Sequence, residues 1–124
     1  HDGSLTTAHA NSPRELMSRM ETMVLMAGMD LPVKAIREQI SAAINVVVHQ
    51  SRLKDGSRKV VNISEIVGME GDTITLQDIY VYKAEGLDAS GKLTGSFYAT
   101  GVRPTFLDKL AATGILVRDD WFSN

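Results

Sequence analysis

Residues 3–15 read Gly-Ser-Leu-Thr-Thr-Ala-His-Ala-Asn-Ser-Pro-Arg-Glu. Thr6 and Thr7 suit β geometry, so Ser4 to His9 is expected to be a short strand. Ala10-Asn11-Ser12 is a polar turn. Ser12-Pro13-Arg14-Glu15 is a capping box, with serine as N-cap, proline at the first helical position and glutamate three residues after the cap. A strand, a turn and a capped helix in succession predict an α/β fold. They also place His9 at the carboxyl end of a strand, where open α/β sheets bind ligands. Thr6, Thr7, Asn11 and Ser12 surround it with hydrogen-bonding groups. Position alone leaves His9 open between a catalytic or ligand-binding role and that of a polar residue at a strand end.

The helix from Pro13 to about Ala27 carries Leu16, Met20, Met23, Val24 and Ala27 on one face. Met17, Met20, Met23, Met26 and Met29 follow one another at steps of three. Such a step turns back about 60° on a helix, so the methionines wind around it and imply burial on more than one side. They are either adaptable core filler or a surface that meets another domain or subunit. Gly28 ends the helix. Asp30-Leu31-Pro32 starts a second one, with Val33, Ile36, Ile40, Ala43 and Ile44 as its apolar face and Asn45 at its close.

The period then changes. Val46-Val47-Val48 is expected to be a strand buried on both faces, running on to Leu53. Lys54-Asp55-Gly56-Ser57 is a hairpin turn, and Arg58 to Val67 returns. Gly68 to Asp72 is a second turn. Thr73 to Lys83 is a third strand, with a change of parity near Gln77-Asp78 that suggests a bulge. A turn over Glu85 to Lys92 and a strand from Leu93 to Thr100 complete an antiparallel meander. Arg103-Pro104-Thr105 opens a last helix with Phe106, Leu107, Leu110 and Ala111 on one face and Gly114 as its cap. Trp121-Phe122 is expected to dock the C-terminus. The expected architecture is one α/β domain: a meander packed on two N-terminal helices, with a C-terminal helix.

The 124 residues suffice for one domain. Hydrophobic residues make up 44% and charged residues 23%, an ordinary globular balance. A net charge of −2 lacks the basic footprint of nucleic-acid binding. Without cysteine there is no disulfide and no thiolate nucleophile or ligand, which fits a reducing compartment. No apolar run approaches the ~20 residues of a membrane-spanning helix, so direct insertion is not expected. The chain starts with His1 rather than Met, and the strand follows at once. This form suggests the C-terminal piece of a longer protein, against a trimmed standalone one.

Few residues can carry chemistry. His49, just past the valines, reads as a satisfied structural histidine. His1, Asp2 and His9 form a weak metal-hydrolase alternative. No serine stands on a nucleophile elbow, and there is no G-x-x-x-x-G-K-[ST] loop. Arg19 lies four residues after Glu15. It either pairs with that carboxylate or aims its fork at a phosphate.

The stretch from Gly3 to Pro13, with Arg19 ten residues beyond His9, resembles the His box of the secretion ATPase superfamily. That superfamily comprises the motors of type II and type IV secretion and of type IV pili, and the Tad/Flp pilus assembly ATPases are the nearer match. Residues 19–28, 36–40, 50–58, 65–66, 68–72 and 99–104 extend the resemblance over nearly the whole chain.

The resemblance implies the C-terminal part of a RecA-like P-loop NTPase domain, within a hexameric motor peripheral to the cytoplasmic face of the inner membrane. It implies ATP and Mg²⁺ as cofactors of the intact protein and an inner-membrane platform protein as partner. His9 would lie near the γ-phosphate and relay its presence, and Arg19 would be the box arginine. Walker A, Walker B and the acidic box with its catalytic glutamate precede the His box in the family and are absent from this sequence. The chain alone is therefore expected to be inactive. The alternative from a different class is a small non-catalytic α/β interaction module that binds a partner through its methionine-rich helix.

Overall fold

The structure is a computed structural model and describes residues 3–28 and 30–124. His1, Asp2 and Met29 lie outside the described residues, so the metal alternative and the last step of the methionine series are not addressed by it. Helix α1 spans Pro13–Met26 and α2 spans Val33–Ala43. Four strands follow, β1 Val46–Arg52, β2 Arg58–Glu70, β3 Thr73–Leu87 and β4 Leu93–Ala99. A short α3, Leu107–Ala112, and a single 3₁₀ turn, Asp119–Phe122, end the chain. The strands form one antiparallel sheet in the order β1-β2-β3-β4. This is the expected meander beside two N-terminal helices and one C-terminal helix.

Alternation along β2 divides the work of the sheet. Ile66 faces α1 and α2, and with Met17, Ile36, Ile40, Val47 and Ile74 it forms the core. Its neighbour Glu65 points the other way, toward α3. The Glu65 carboxylate is 2% exposed and fully engaged. It accepts from Thr105 N–H at 2.9 and 3.0 Å, from Thr105 Oγ1 at 2.7 Å and from Gln77 Nε2 at 3.1 Å. A buried charge is tolerable when so completely hydrogen-bonded, and this one pins the approach to α3 against the sheet.

Polar ties fix the two long helices. Arg14 donates to the Ile74 carbonyl at 2.7 Å. Arg37 pairs with Glu21 of α1 at 2.9 Å and donates to the Asp72 carbonyl in the β2–β3 turn at 2.9 Å.

Several sequence expectations are corrected. Ser4–His9 is not a strand. It is an exposed segment outside the sheet, because among the described residues no strand meets its backbone and β1 pairs only with β2. The valine run is not buried on both faces. Val47 is covered by the helices, while Val46 and Val48 point to the other side and are exposed. Helix α1 is buried on one side only, through Met17 with Leu16, Met20 and Val24 packed around it. Met23 and Met26 face solvent.

Two turns are shorter than expected, since β2 runs on to Glu70 and β3 to Leu87. Ladder pairing extends these strands through glycines 68 and 86, both of which are paired and adjoin register shifts. The expected bulge exists, with Ile79 the extra residue between the Ile63–Tyr80 and Ser64–Asp78 pairs. Helix α3 starts at Leu107, after Thr105 is held by Glu65 of the sheet. The C-terminus docks through the Phe122 ring on Tyr80 and the Trp121 carbonyl on the Tyr80 hydroxyl, and the Trp121 ring stays exposed.

Candidate functional site

The cap of α1 builds the site. Ser12 Oγ accepts the Glu15 N–H at 3.0 Å. Glu15 reaches back to the N–H of Asn11 at 3.1 Å, one residue earlier than a standard box. This reciprocal bond anchors residue 11 at the helix start, and the segment before it runs back along α1. His9 is thereby brought to the side of the helix that carries Arg19.

His9 and Arg19 line one open cleft with Thr7, Ser18, Thr22 and Met23. Glu15 also binds Arg19, Oε1 to Nε at 3.1 Å. The Arg19 hydrogen bond, followed by the Asn11 N–H, lowers the Glu15 pKa from its ordinary value. Glu15 thus stays ionised and orients the guanidinium, whose two terminal nitrogens have no hydrogen bond among the described residues. The sequence offered pairing and phosphate recognition as alternatives for Arg19. The geometry permits both at once, because pairing uses the Nε edge.

A larger groove of about 800 Å³ opens between residues 4–12, α1 and β1, and again includes His9 and Arg19. It reaches His49 and Arg58. His49 is not the satisfied structural residue that was expected. Its Nδ1 is buried without a hydrogen-bond partner among the described residues. Sequence reasoning missed His49 and Arg58 as neighbours of the His9 groove, since only the pairing of β1 with β2 brings residues 49 and 58 to one side of it.

The residues present do not cradle a nucleotide by themselves. The cleft supplies one histidine and one guanidinium already shared with Glu15. Successive backbone N–H groups of a phosphate loop are not offered by this sequence. Among the described residues no group of three His, Cys, Asp or Glu side chains could hold a metal ion. No helix among them is long and apolar enough to cross a membrane.

The chain is similar to two Mycobacterium tuberculosis proteins named as conjugal transfer proteins, one from strain CDC 1551 / Oshkosh and one from strain ATCC 25618 / H37Rv. Each is 33% identical over 85 residues, which is 68% of this chain and 23% of the relative. The chain therefore matches only about a quarter of the length of these relatives. No family model matches it.

Proposed function

We propose that this chain is part of a RecA-like motor ATPase that serves secretion, conjugal transfer or pilus assembly, and that His9 and Arg19 are its contribution to the nucleotide site. The observation that carries the reading is the meeting of His9 and Arg19 in one cleft, across ten residues of sequence. The His-box resemblance and the similarity to conjugal transfer proteins support the same context. Arg19, held at Nε by Glu15, presents a fixed positive charge. His9, exposed at the cleft mouth, is a hydrogen-bonding group able to register a phosphate there. Cradle, Mg²⁺ ligands and water-activating base belong to other parts of the motor. The motor is a homo-oligomer, a hexamer in this reading, that works against an inner-membrane platform protein.

The 124-residue chain alone is expected neither to bind ATP tightly nor to hydrolyse it. In the full-length protein that contains it, His9→Ala and Arg19→Ala are expected each to lower ATP turnover by about 10²-fold while nucleotide binding is kept. Turnover by the isolated chain, or wild-type turnover in both full-length variants, overturns the assignment.

A second reading is favoured by a separate observation. Met23, Leu25 and Met26 on the outer side of α1 are all exposed, as a partner-binding module would have them. Loss of partner binding in a Leu25→Ser/Met26→Ser variant, which spares Met23 of the His9 cleft, with unchanged ATP turnover by the full-length protein would select that module.

A further inference from the structure

The groove that holds His9 has a second charged end, and we propose that His49, Arg58 and Arg52 bind a phosphoryl group there. The groove measures about 800 Å³, within the range of small-molecule sites. Its wall carries His9, Arg19, His49 and Arg58 but no aspartate or glutamate among the described residues. The chain as a whole has 15 acidic residues against 13 basic ones, so this segregation is local. A cleft lined by one sign of charge concentrates ions of the other.

The two arginines of the wall are not equivalent. Arg19 shares its charge with Glu15 at 3.1 Å. Arg58 has no ion pair among the described residues. It stands directly opposite Arg52 in the β1–β2 ladder, so both side chains leave the same face of the sheet. Arg52 is exposed and is likewise without an ion pair among the described residues. Like charges so placed cost stability, and an anion held between them relieves that cost. Asp55 of the intervening turn keeps its charge, but directs it at Ser57, the Leu93 N–H and Lys59.

His49 is a separate observation at the same end. It lines the groove from β1, and its Nδ1 is buried without a hydrogen-bond partner among the described residues. A buried polar atom left unpaired is a cost to the fold. An anion oxygen that accepts an N–H of this ring offsets it. The residue as a whole is half-buried, so a ligand reaches it from the groove.

Guanidinium forks take carboxylate and phosphoryl groups alike. A phosphoryl group is favoured because it brings three acceptor oxygens, one for each of the two forks and the imidazole, where a carboxylate has two. The site goes beyond the proposed function, which uses only His9 and Arg19. It rests on that reading only for the source of the phosphoryl group, a nucleotide lying along the groove. A free polyphosphate has the same chemistry.

The test is titration of the 124-residue chain with sodium tripolyphosphate at neutral pH and low salt, followed by nuclear magnetic resonance of the His49 ring and the Arg58 Nε–H. Both signals are expected to shift saturably, with a Kd on the order of 1 mM. Arg52→Gln/Arg58→Gln is expected to raise that Kd at least about tenfold. It removes a like-charge pair and should melt no lower than the wild type, so lost binding is not lost folding. Lys54→Gln/Lys92→Gln, at exposed positions outside the groove, should leave the Kd unchanged. No saturable shift, a shift confined to His9 and Arg19, an equal loss in the lysine variant or wild-type affinity in the arginine variant each overturns the site. A parallel titration with ATP identifies the source. Tighter binding of ATP than of tripolyphosphate points to a nucleotide and the reverse to a free polyphosphate, and the site stands in both cases. Arg19→Gln separates this site from the His9 reading. If it binds like wild type while the arginine pair variant does not, the site stands and the role of Arg19 fails. Loss in Arg19→Gln alone overturns the site and leaves that role intact.

Discussion

At the residue scale, Asp55 shows how a turn side chain can join distant strands. Its carboxylate takes the Ser57 N–H and Oγ at 2.9 and 2.6 Å, and the Leu93 N–H at 2.9 Å. The Ser57 hydroxyl first, then the Leu93 and Ser57 N–H groups, pull its pKa from 3.8 down to about 2. A carboxylate with a depressed folded-state pKa stabilises the fold fully above its unfolded value, and that contribution is lost as pH falls through the folded value. Asp55 therefore contributes above pH 3.8 and ceases to between there and about 2. Asp55→Asn is expected to lower Tm at pH 6 and to flatten the fall of Tm between the two pKa values relative to wild type. Parallel Tm–pH curves for the two proteins would rule this role out. The sequence showed Asp55 only as half of an Asp-Gly turn. Its bond to residue 93 was illegible because 38 residues intervene and only the curl of the sheet brings them together.

At the element scale, the distal meander depends on one close approach. Gly95 on β4 lies under the Tyr82 ring of β3, and an added Cβ would fall 2.6 Å from that ring and closer still to the Lys83 carbonyl. Tyr82 is further fixed by an edge-on contact with Phe97 at 5.8 Å between centroids. A backbone carbonyl cannot swing aside as a side chain can. Gly95→Ala is expected to destabilise the protein by about 2 kcal/mol, measured by urea denaturation, and Gly91→Ser at the adjoining exposed turn is a control for strain without a clash. A Gly95→Ala midpoint equal to wild type would show that the ladder shifts freely.

Elements with strong local chemistry were legible. The Ser12–Glu15 box started α1 at Pro13, and Asp55-Gly56 placed the first hairpin. The element that failed was the Ser4–His9 strand. A strand is completed by a neighbour's hydrogen bonds, and two threonines cannot supply them.

For the whole molecule, order is graded from the sheet centre outward. Met17, Ile36, Ile40, Val47, Ile66 and Ile74 interlock where α1 and α2 cross β1, β2 and β3. Residues 3–9 are exposed throughout and outside any helix or strand. Amide exchange should follow this gradient. The N–H groups of residues 4–9 are expected in the fastest class, and those of 63–66 and 76–80 in the slowest. Mass spectrometry of deuterated chain reads this directly, and slow exchange over 4–9 would mean that the segment is paired in solution. The candidate site straddles the gradient. Arg19 stands on a packed helix and His9 on the exposed segment, so the cleft has one fixed wall and one wall held mainly by the Asn11–Glu15 bond.

The sequence by itself determined the order of helices and strands from α1 onward, the capped start of α1, the antiparallel meander and the four-residue spacing that lets Glu15 reach Arg19. Each rests on residues within a turn or a hairpin of one another, where backbone geometry and side-chain type act directly. Only the tertiary structure decided that Val47 alone of three valines is buried, that His49 Nδ1 has no partner among the described residues, and that Glu65 is engaged by Thr105. It also decided that His9 meets Arg19 beside the helix and not at the edge of a sheet. Those outcomes depend on which face another element covers, and burial and pairing across 10 to 40 residues are set by packing, which no local pattern encodes.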